Sequence, residues 1–356
     1  MNKNTENHFL YYLKGLGCIS VTFAHCPFPG LVGILVNGYA RFAVPMFFMV
    51  SGYYLLTGSG KAPTWSDLMR DRCKKAGRML GMGLALYGLW RPLQLLVTSG
   101  SIAVVKEWFL NLFHPRSLFS MVVLNDMTSI GGHLWYLASL LYCYLFLWII
   151  GPRWLKERAW IPVPILLMGH MILRAIADFH GIQEVFGIPV YIILRNWLMM
   201  GVPFFMTGVL IRRNQQQILE LISEKAVKIL FWAGVLLSGA EFLLTYFHIG
   251  TDKELYPGIV LMVVSMFLYA VRNPEKKGIP VVGVVGKRYL LPIYLIHLAV
   301  IEGMQIIYYY LRIIDAAWYP WVAPVINSIL SICGAVIWSN CWSRLTLGWK
   351  RKRGEK

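Results

Sequence analysis

The chain is 356 residues long, with 57% hydrophobic and only 14% charged residues, a balance that excludes a soluble globular protein of ordinary composition. Its 34 lysines and arginines exceed the 17 acidic residues and give a formal net charge of +17. Those cations are spread between apolar runs, so the excess is a property of membrane topology before it is a sign of any ligand, and no nucleic-acid partner is implied.

Runs long enough to span a bilayer, at about 20 residues each, occur near 10–30, 38–57, 79–98, 134–150, 159–177, 190–211, 228–248, 256–271, 289–311 and 321–343. The expected fold is an all-α integral membrane protein of about ten transmembrane helices. It forms a single domain over 1–356, with a basic tail at 344–356. No small-residue cleavage site follows the first run, which reads as a retained helix rather than a signal peptide.

That first run holds the most informative pair in the chain. Lys14 and His25 are eleven positions apart, roughly three helical turns, which puts them on one face about 16 Å apart along the axis. The spacing predicts a cation near one membrane surface and an imidazole at depth. An ionisable side chain there is either functional or a neutral histidine bonded to a neighbouring helix's carbonyl.

The second run contains Arg41 and the segment Val44-Pro-Met-Phe-Phe-Met-Val-Ser51-Gly52, which a later stretch, Val202-Pro-Phe-Phe-Met-Thr-Gly208, echoes weakly. Pro45 and Pro203 each free a backbone carbonyl and are plausible cavity walls. Next comes a connection, 57–78, with six cations against Asp67 and Asp71. A longer one from about Ser99 to Gly132 carries Trp108, Phe109, Phe113, His114, Phe119 and Asp126. It reads as an amphipathic cap at the interface or as an aromatic belt anchoring helix ends. The six cysteines form no CxxC and read as small apolar residues, with no disulfide framework and no metal site.

With the amino terminus in the cytoplasm, 26 of the 34 basic residues fall on the cytoplasmic side, against Lys106, Arg116, Lys253 and Arg312 outside. Both termini are therefore expected to be cytoplasmic.

Five segments, in order, carry a resemblance. They are Lys14 with His25; Arg41-Phe-Ala-Val-Pro45 running on to Ser51-Gly52-Tyr53-Tyr54; the basic run ending Lys75-Ala-Gly-Arg78; His133-Leu-Trp135-Tyr136-Leu; and Tyr294-Leu-Ile-His297. Together they resemble the membrane-bound acyltransferase family 3, roughly ten-helix proteins of the bacterial inner membrane that acylate surface glycans and related acceptors. The family pairs arginine with the first-helix histidine and has Arg-x-x-Arg after the second span. Here Lys14 and Lys75 stand in those places, keeping the charge and losing the bidentate fork.

The resemblance implies a catalytic role for His25 and donor-binding roles for Lys14, Lys75 and Arg78, which suit the phosphates of an acyl-CoA, most simply acetyl-CoA, used as co-substrate with no bound cofactor. Arg41, Ser51, Tyr53, Trp135 and His297 are candidates for acceptor binding or for the oxyanion. For Tyr294 and His297 an interhelical hydrogen bond is an equal alternative. Glu241 and Glu302 are weaker candidates, and His114, His170, His180 and His248 have no assigned role. The expected partners are the acyl-CoA, a glycan or lipid-linked sugar, and membrane lipid. A transporter or flippase for a glycan or small solute is the main alternative, supported by buried Arg41, Glu241 and Glu302 and by runs interrupted by glycine or proline. A non-catalytic membrane anchor or sensor is the third.

Overall fold

A computed structural model of the chain describes residues 6–56, 64–249 and 252–352, with side chains as far as 343. Lys3, Lys61, Arg353 and Lys356 lie outside the described residues, and the tail is described from Arg344 to Lys352 without side chains. In chain order the helices are α1 (His8–His25), α2 (Gly30–Ala40), α3 (Ala43–Tyr53), α4 (Trp65–Ser99), α5 (Ile102–Leu112), α6 (Pro115–Val122), α7 (Trp135–Arg158), α8 (Pro162–His180), α9 (Val190–Leu194), α10 (Val202–Arg213), α11 (Gln215–Leu221), α12 (Glu224–Tyr246), α13 (Pro257–Arg272), α14 (Pro280–Val284), α15 (Leu290–Tyr310) and α16 (Tyr319–Lys352). Between α8 and α9, β1 (Glu184–Val185) and β2 (Ile188–Pro189) pair antiparallel in a minimal hairpin. Two π-helical turns, Trp197–Gly201 and Val285–Tyr289, lead into α10 and α15.

Six stretches among the described residues are long and apolar enough to cross a bilayer: Gly30–Tyr53, Gly132–Arg158, Pro162–His180, Glu224–Tyr246, Pro280–Tyr310 and Tyr319–Ser343. The chain is an all-α, multi-pass membrane protein. Several boundaries differ from those expected. The first helix stops at His25 instead of reaching 30, because Pro27 and Pro29 cannot extend it. His25 therefore stands at a helix end, not in the middle of a span. The run 190–211 is broken at Arg195 and Asn196, where the Asn196 side chain accepts from the amides of Leu198 and Met199 and restarts the chain as a π turn. The connection expected at 57–78 is helical from Trp65 onward. Thr64 caps it by accepting from the Asp67 amide, and a run of good helix formers continues into the apolar part of α4.

By contacts the chain divides into two compact units, Met1–Ala43 with Asn273–Lys356, and Val44–Arg272. In the first, α1 lies so close to the 280–289 segment that a Cβ on Gly15 would sit 1.9 Å from the Val282 carbonyl oxygen, and one on Gly286 2.0 Å from that of Tyr11. Only glycine permits this approach, the usual means of joining helices where lipid removes the hydrophobic drive.

The second unit uses the same device at the echoed segments. A Cβ on Gly52 would lie 2.0 Å from the Phe205 carbonyl oxygen, and one on Gly208 2.0 Å from that of Met49. The two echoes thus pack on each other, each through its glycine. Ser51 and Thr207, the residues before those glycines, return their hydroxyls to carbonyls four residues back, Phe47 at 2.9 Å and Pro203 at 2.8 Å. Fully buried Asn125 ties α7 to the π turn. Its amide donates to Ser139 Oγ at 2.8 Å and to the Trp135 carbonyl at 3.3 Å, and its oxygen accepts from the Trp197 amide at 3.1 Å. The 99–132 connection forms the short helices α5 and α6. They leave Ile102, Phe109, Leu110, Phe113, Phe119 and Val122 exposed.

Candidate functional site

In the first unit, His25 is the last residue of α1 and its side chain is exposed. Its ring faces that of His297 on α15, centroids 5.2 Å apart and planes at 46°. His297 is buried, 1% exposed, and its Nδ1 lies 3.1 Å from the Ile293 carbonyl and 2.9 Å from that of Tyr294. Carbonyl oxygens only accept, so Nδ1 carries the hydrogen and Nε2 holds the lone pair of the neutral ring. The hydrogen bonds at Nδ1 therefore run to its own helix, not across to a neighbour. The negative end of the α1 dipole lies at His25, where positive charge appearing on the imidazole during proton transfer is favoured.

Beside this pair, the Cys26 amide closes α1 by donating to the Thr22 carbonyl at 3.1 Å, and Cys26 Sγ accepts from the side-chain amide of Asn327 at 3.3 Å. Cys26 packs with Ile301, Tyr308 and Ala323, and the Tyr308 ring meets Tyr319 edge-on at 5.3 Å. Sequence reasoning passed over Asn327 and Tyr308, because nothing local marks a lone Asn or Tyr in an apolar run.

The far end of α1 carries the positive charge. Lys14 Nζ lies 5.2 Å from the centre of the Tyr11 ring, and Lys287 Nζ, from the π turn, lies 5.3 Å from the same ring. Lys287 also holds the Glu6 carboxylate, and this hydrogen bond keeps Glu6 below the usual carboxylate range. Two ammonium groups thus share one aromatic ring at the end of α1 opposite His25. Lys287 was counted in the sequence only as a cytoplasmic charge. Arg41 ends α2, where its amide donates to the Gly38 carbonyl at 3.3 Å.

The second unit holds Ser51, Tyr53, Lys75, Arg78 and Trp135. The Ser51 hydroxyl, which donates to the Phe47 carbonyl, lies beside those of Tyr136 and Tyr144, both buried on α7. Tyr53 donates to Gln215 Oε1 at 2.7 Å and receives Arg212 Nη1 at 3.3 Å, with the guanidinium 5.1 Å over its ring. Lys75 and Arg78 are exposed on α4, one turn apart on one face. Arg72, on the same helix, is committed elsewhere: it donates to the Tyr54 and Leu55 carbonyls at 3.0 and 2.9 Å and caps the end of α3. Trp135 opens α7, with the Arg195 guanidinium 5.5 Å from its ring. Glu241 accepts from the Gly258 amide at 3.1 Å, capping the start of α13.

The predicted residues thus fall into two groups, Lys14, His25, Arg41 and His297 in one unit and Ser51, Tyr53, Lys75, Arg78 and Trp135 in the other. Within the first unit the structure joins His25 to His297 and adds Lys287 to Lys14; within the second it sets Ser51 beside Tyr136 and Tyr144.

A family model described as an acyltransferase domain matches residues 7–340. No curated protein and no solved structure matches the chain.

Proposed function

Since the chain belongs to acyltransferase family 3, and is a membrane acyltransferase by that membership and its spanning helices, we propose that it moves an acetyl group from acetyl-CoA to a hydroxyl of an exopolysaccharide or other cell-surface glycan in a bacterial inner membrane. The observation that carries this reading is the build of α1, with the paired lysines Lys14 and Lys287 at one end and the His25–His297 pair at the other. With ten spans and both termini cytoplasmic, as the charge bias favours, the lysine end faces the donor's compartment.

In this reading the donor's phosphates bind Lys14 and the pantetheine arm runs the roughly 16 Å of helix toward His25; Lys75 and Arg78 are donor-binding candidates by the family resemblance. His25 removes the proton from the acceptor hydroxyl as the oxygen attacks the thioester carbonyl. The C–S bond then breaks, the acyl group stays on the acceptor oxygen, and the proton on His25 passes to the departing CoA sulfur. Arg41, Ser51, Tyr53, Trp135 and His297 remain the candidates for acceptor and oxyanion contacts. His297 adds to the pair a neutral ring whose tautomer is fixed by α15 itself.

The test is release of free CoA from acetyl-CoA by the purified protein with a glycan acceptor, matched by the mass of one acetyl group on the glycan. Cells with and without the protein should differ by the same mass on their surface polysaccharide. Transport of an unmodified glycan with no CoA release would refute the reading.

A further inference from the structure

The buried serines of the last helix satisfy themselves. Ser328 donates to the Pro324 carbonyl at 2.9 Å and Ser331 to that of Asn327 at 2.7 Å. Two groups differ. Asn327 is fully buried and spends its amide nitrogen on Cys26, yet its amide oxygen has no partner among the described residues. Tyr308, 7% exposed, likewise has a buried hydroxyl with no partner among them. A buried polar atom left unpaired is costly, and native structures keep few of them without a reason.

Both groups lie against the same residue. Asn327 is bonded to Cys26, and Tyr308 packs in the same buried cluster as Cys26. Cys26 directly follows His25. One open acceptor and one open hydroxyl, which can donate or accept, therefore flank the end of α1 that carries the exposed imidazole. That combination is the complement of a polyol, in which the hydroxyl next to the reacting one must be held as well.

We propose that Asn327 and Tyr308 form a hydroxyl-binding subsite for a polyhydroxylated acceptor, with Asn327 Oδ1 accepting from one sugar hydroxyl and Tyr308 Oη bonding an adjacent sugar oxygen. This subsite sets a neighbouring hydroxyl before His25, and it rests on the acyl-transfer reading above. Both atoms are screened from solvent in the described structure, so the acceptor reaches them when Tyr308 or Tyr319, at the ends of α15 and α16, turns aside. Such rotations need no helix to move.

The experiment uses the full chain in its native membranes, with radiolabelled acetyl-CoA as donor probe and a titrated extract of the same cells' glycan-bearing lipids as acceptor source. Tyr308→Phe removes only the unpartnered oxygen, so its thermal stability should equal or exceed that of the unaltered protein. Its transfer at limiting acceptor should fall about 5–10-fold, the worth of one hydrogen bond, with the acetyl-CoA dependence unchanged. Asn327→Ala should show the same split, and if it fails to fold, Tyr308→Phe alone decides. Acceptor dependence unchanged in Tyr308→Phe would mean that the two atoms only hold water or serve packing, and would overturn the subsite while leaving the enzyme reading intact. No label transfer by the unaltered protein would instead sink the acyl-transfer reading itself, before any variant is compared.

Discussion

The rings of His25 and His297 stand 5.2 Å apart, one exposed at the end of α1 and the other buried on α15. The contact divides the labour between them. His297 spends Nδ1 on its own helix, which fixes its tautomer and its orientation. His25 is the accessible member and the one able to meet a substrate proton.

Replacing His25 with Ala should therefore lower transfer about 10²–10⁴-fold, as loss of a general base does, with little change in membrane insertion or heat stability. His297→Ala empties a fully packed position and should cost about 1–3 kcal/mol of stability, with a smaller loss of turnover per folded molecule. The checks are radiolabel transfer normalised to folded protein and thermal melting in detergent. Near-normal transfer by folded His25→Ala protein would remove His25 from the mechanism.

At the other end of α1, Lys14 and Lys287 bracket Tyr11, and Glu6 occupies Lys287. A donor phosphate binding there competes with the Glu6 carboxylate. Lys14→Ala, Lys287→Ala and Arg78→Ala should each raise the acetyl-CoA concentration for half-maximal turnover, Lys14→Arg should be tolerated, and Glu6→Gln should lower that concentration. Because Lys287 depresses the Glu6 carboxyl below its usual 4.5, the tether is complete above that pH and is lost as pH falls through the lowered value. The advantage of Glu6→Gln should accordingly hold at neutral pH. Unchanged donor dependence in Lys287→Ala would leave this lysine as a partner of Glu6 only.

Much of this was legible in the sequence, and the remainder has a common cause. The all-α membrane class follows from apolar runs, and the His25 and His297 motifs stood out because each sits in a recognisable local pattern. Contacts between distant segments did not. Nothing near Asn125 announces that it joins Ser139 to Trp197, and nothing near Lys287 announces Tyr11. The cations carried two messages at once: Arg72, Arg213 and Arg272 fit the charge bias, yet each also caps a helix end, at the carbonyls of Tyr54 and Leu55, Leu155 and Lys156, and Leu219 and Ile222. The bias is visible as a count, whereas the caps depend on where the carbonyls end. The broken run at Arg195 was missed because its apolar residues continue through a break made by one capping side chain, Asn196.

The orientation can be checked with single cysteines in a cysteine-free background. Gln217→Cys, exposed on α11, should react with a membrane-impermeant maleimide only after the cells are permeabilised. Lys106→Cys, exposed on α5, should react in intact cells. These outcomes follow from the placement of 26 of 34 basic residues on one side. The reverse pattern would put the lysine end of α1 outside and close the donor route from the cytoplasm.

The echoed glycines make the sharpest structural forecast. At Gly52 an added Cβ meets the Phe205 carbonyl oxygen at 2.0 Å, and at Gly208 that of Met49 at 2.0 Å, so neither contact can be relieved by turning a side chain. Alanine at either position must push α3 and α10 apart, and the cost should be about 1–3 kcal/mol or more, as for other overpacked contacts. Ser51, a candidate for the oxyanion contact, directly precedes Gly52 at this junction and is bonded to the Phe47 carbonyl of the same helix, so the same shift should also reduce turnover. Gly77 is the control: it is helical on α4, and an added Cβ there meets nothing within 4 Å. Gly77→Ala should be neutral or stabilise by up to about 1 kcal/mol through helix propensity. Thermal melting of the three variants in one detergent separates the cases, and a Gly52→Ala protein as stable as Gly77→Ala would show that the two echoes do not pack through their glycines.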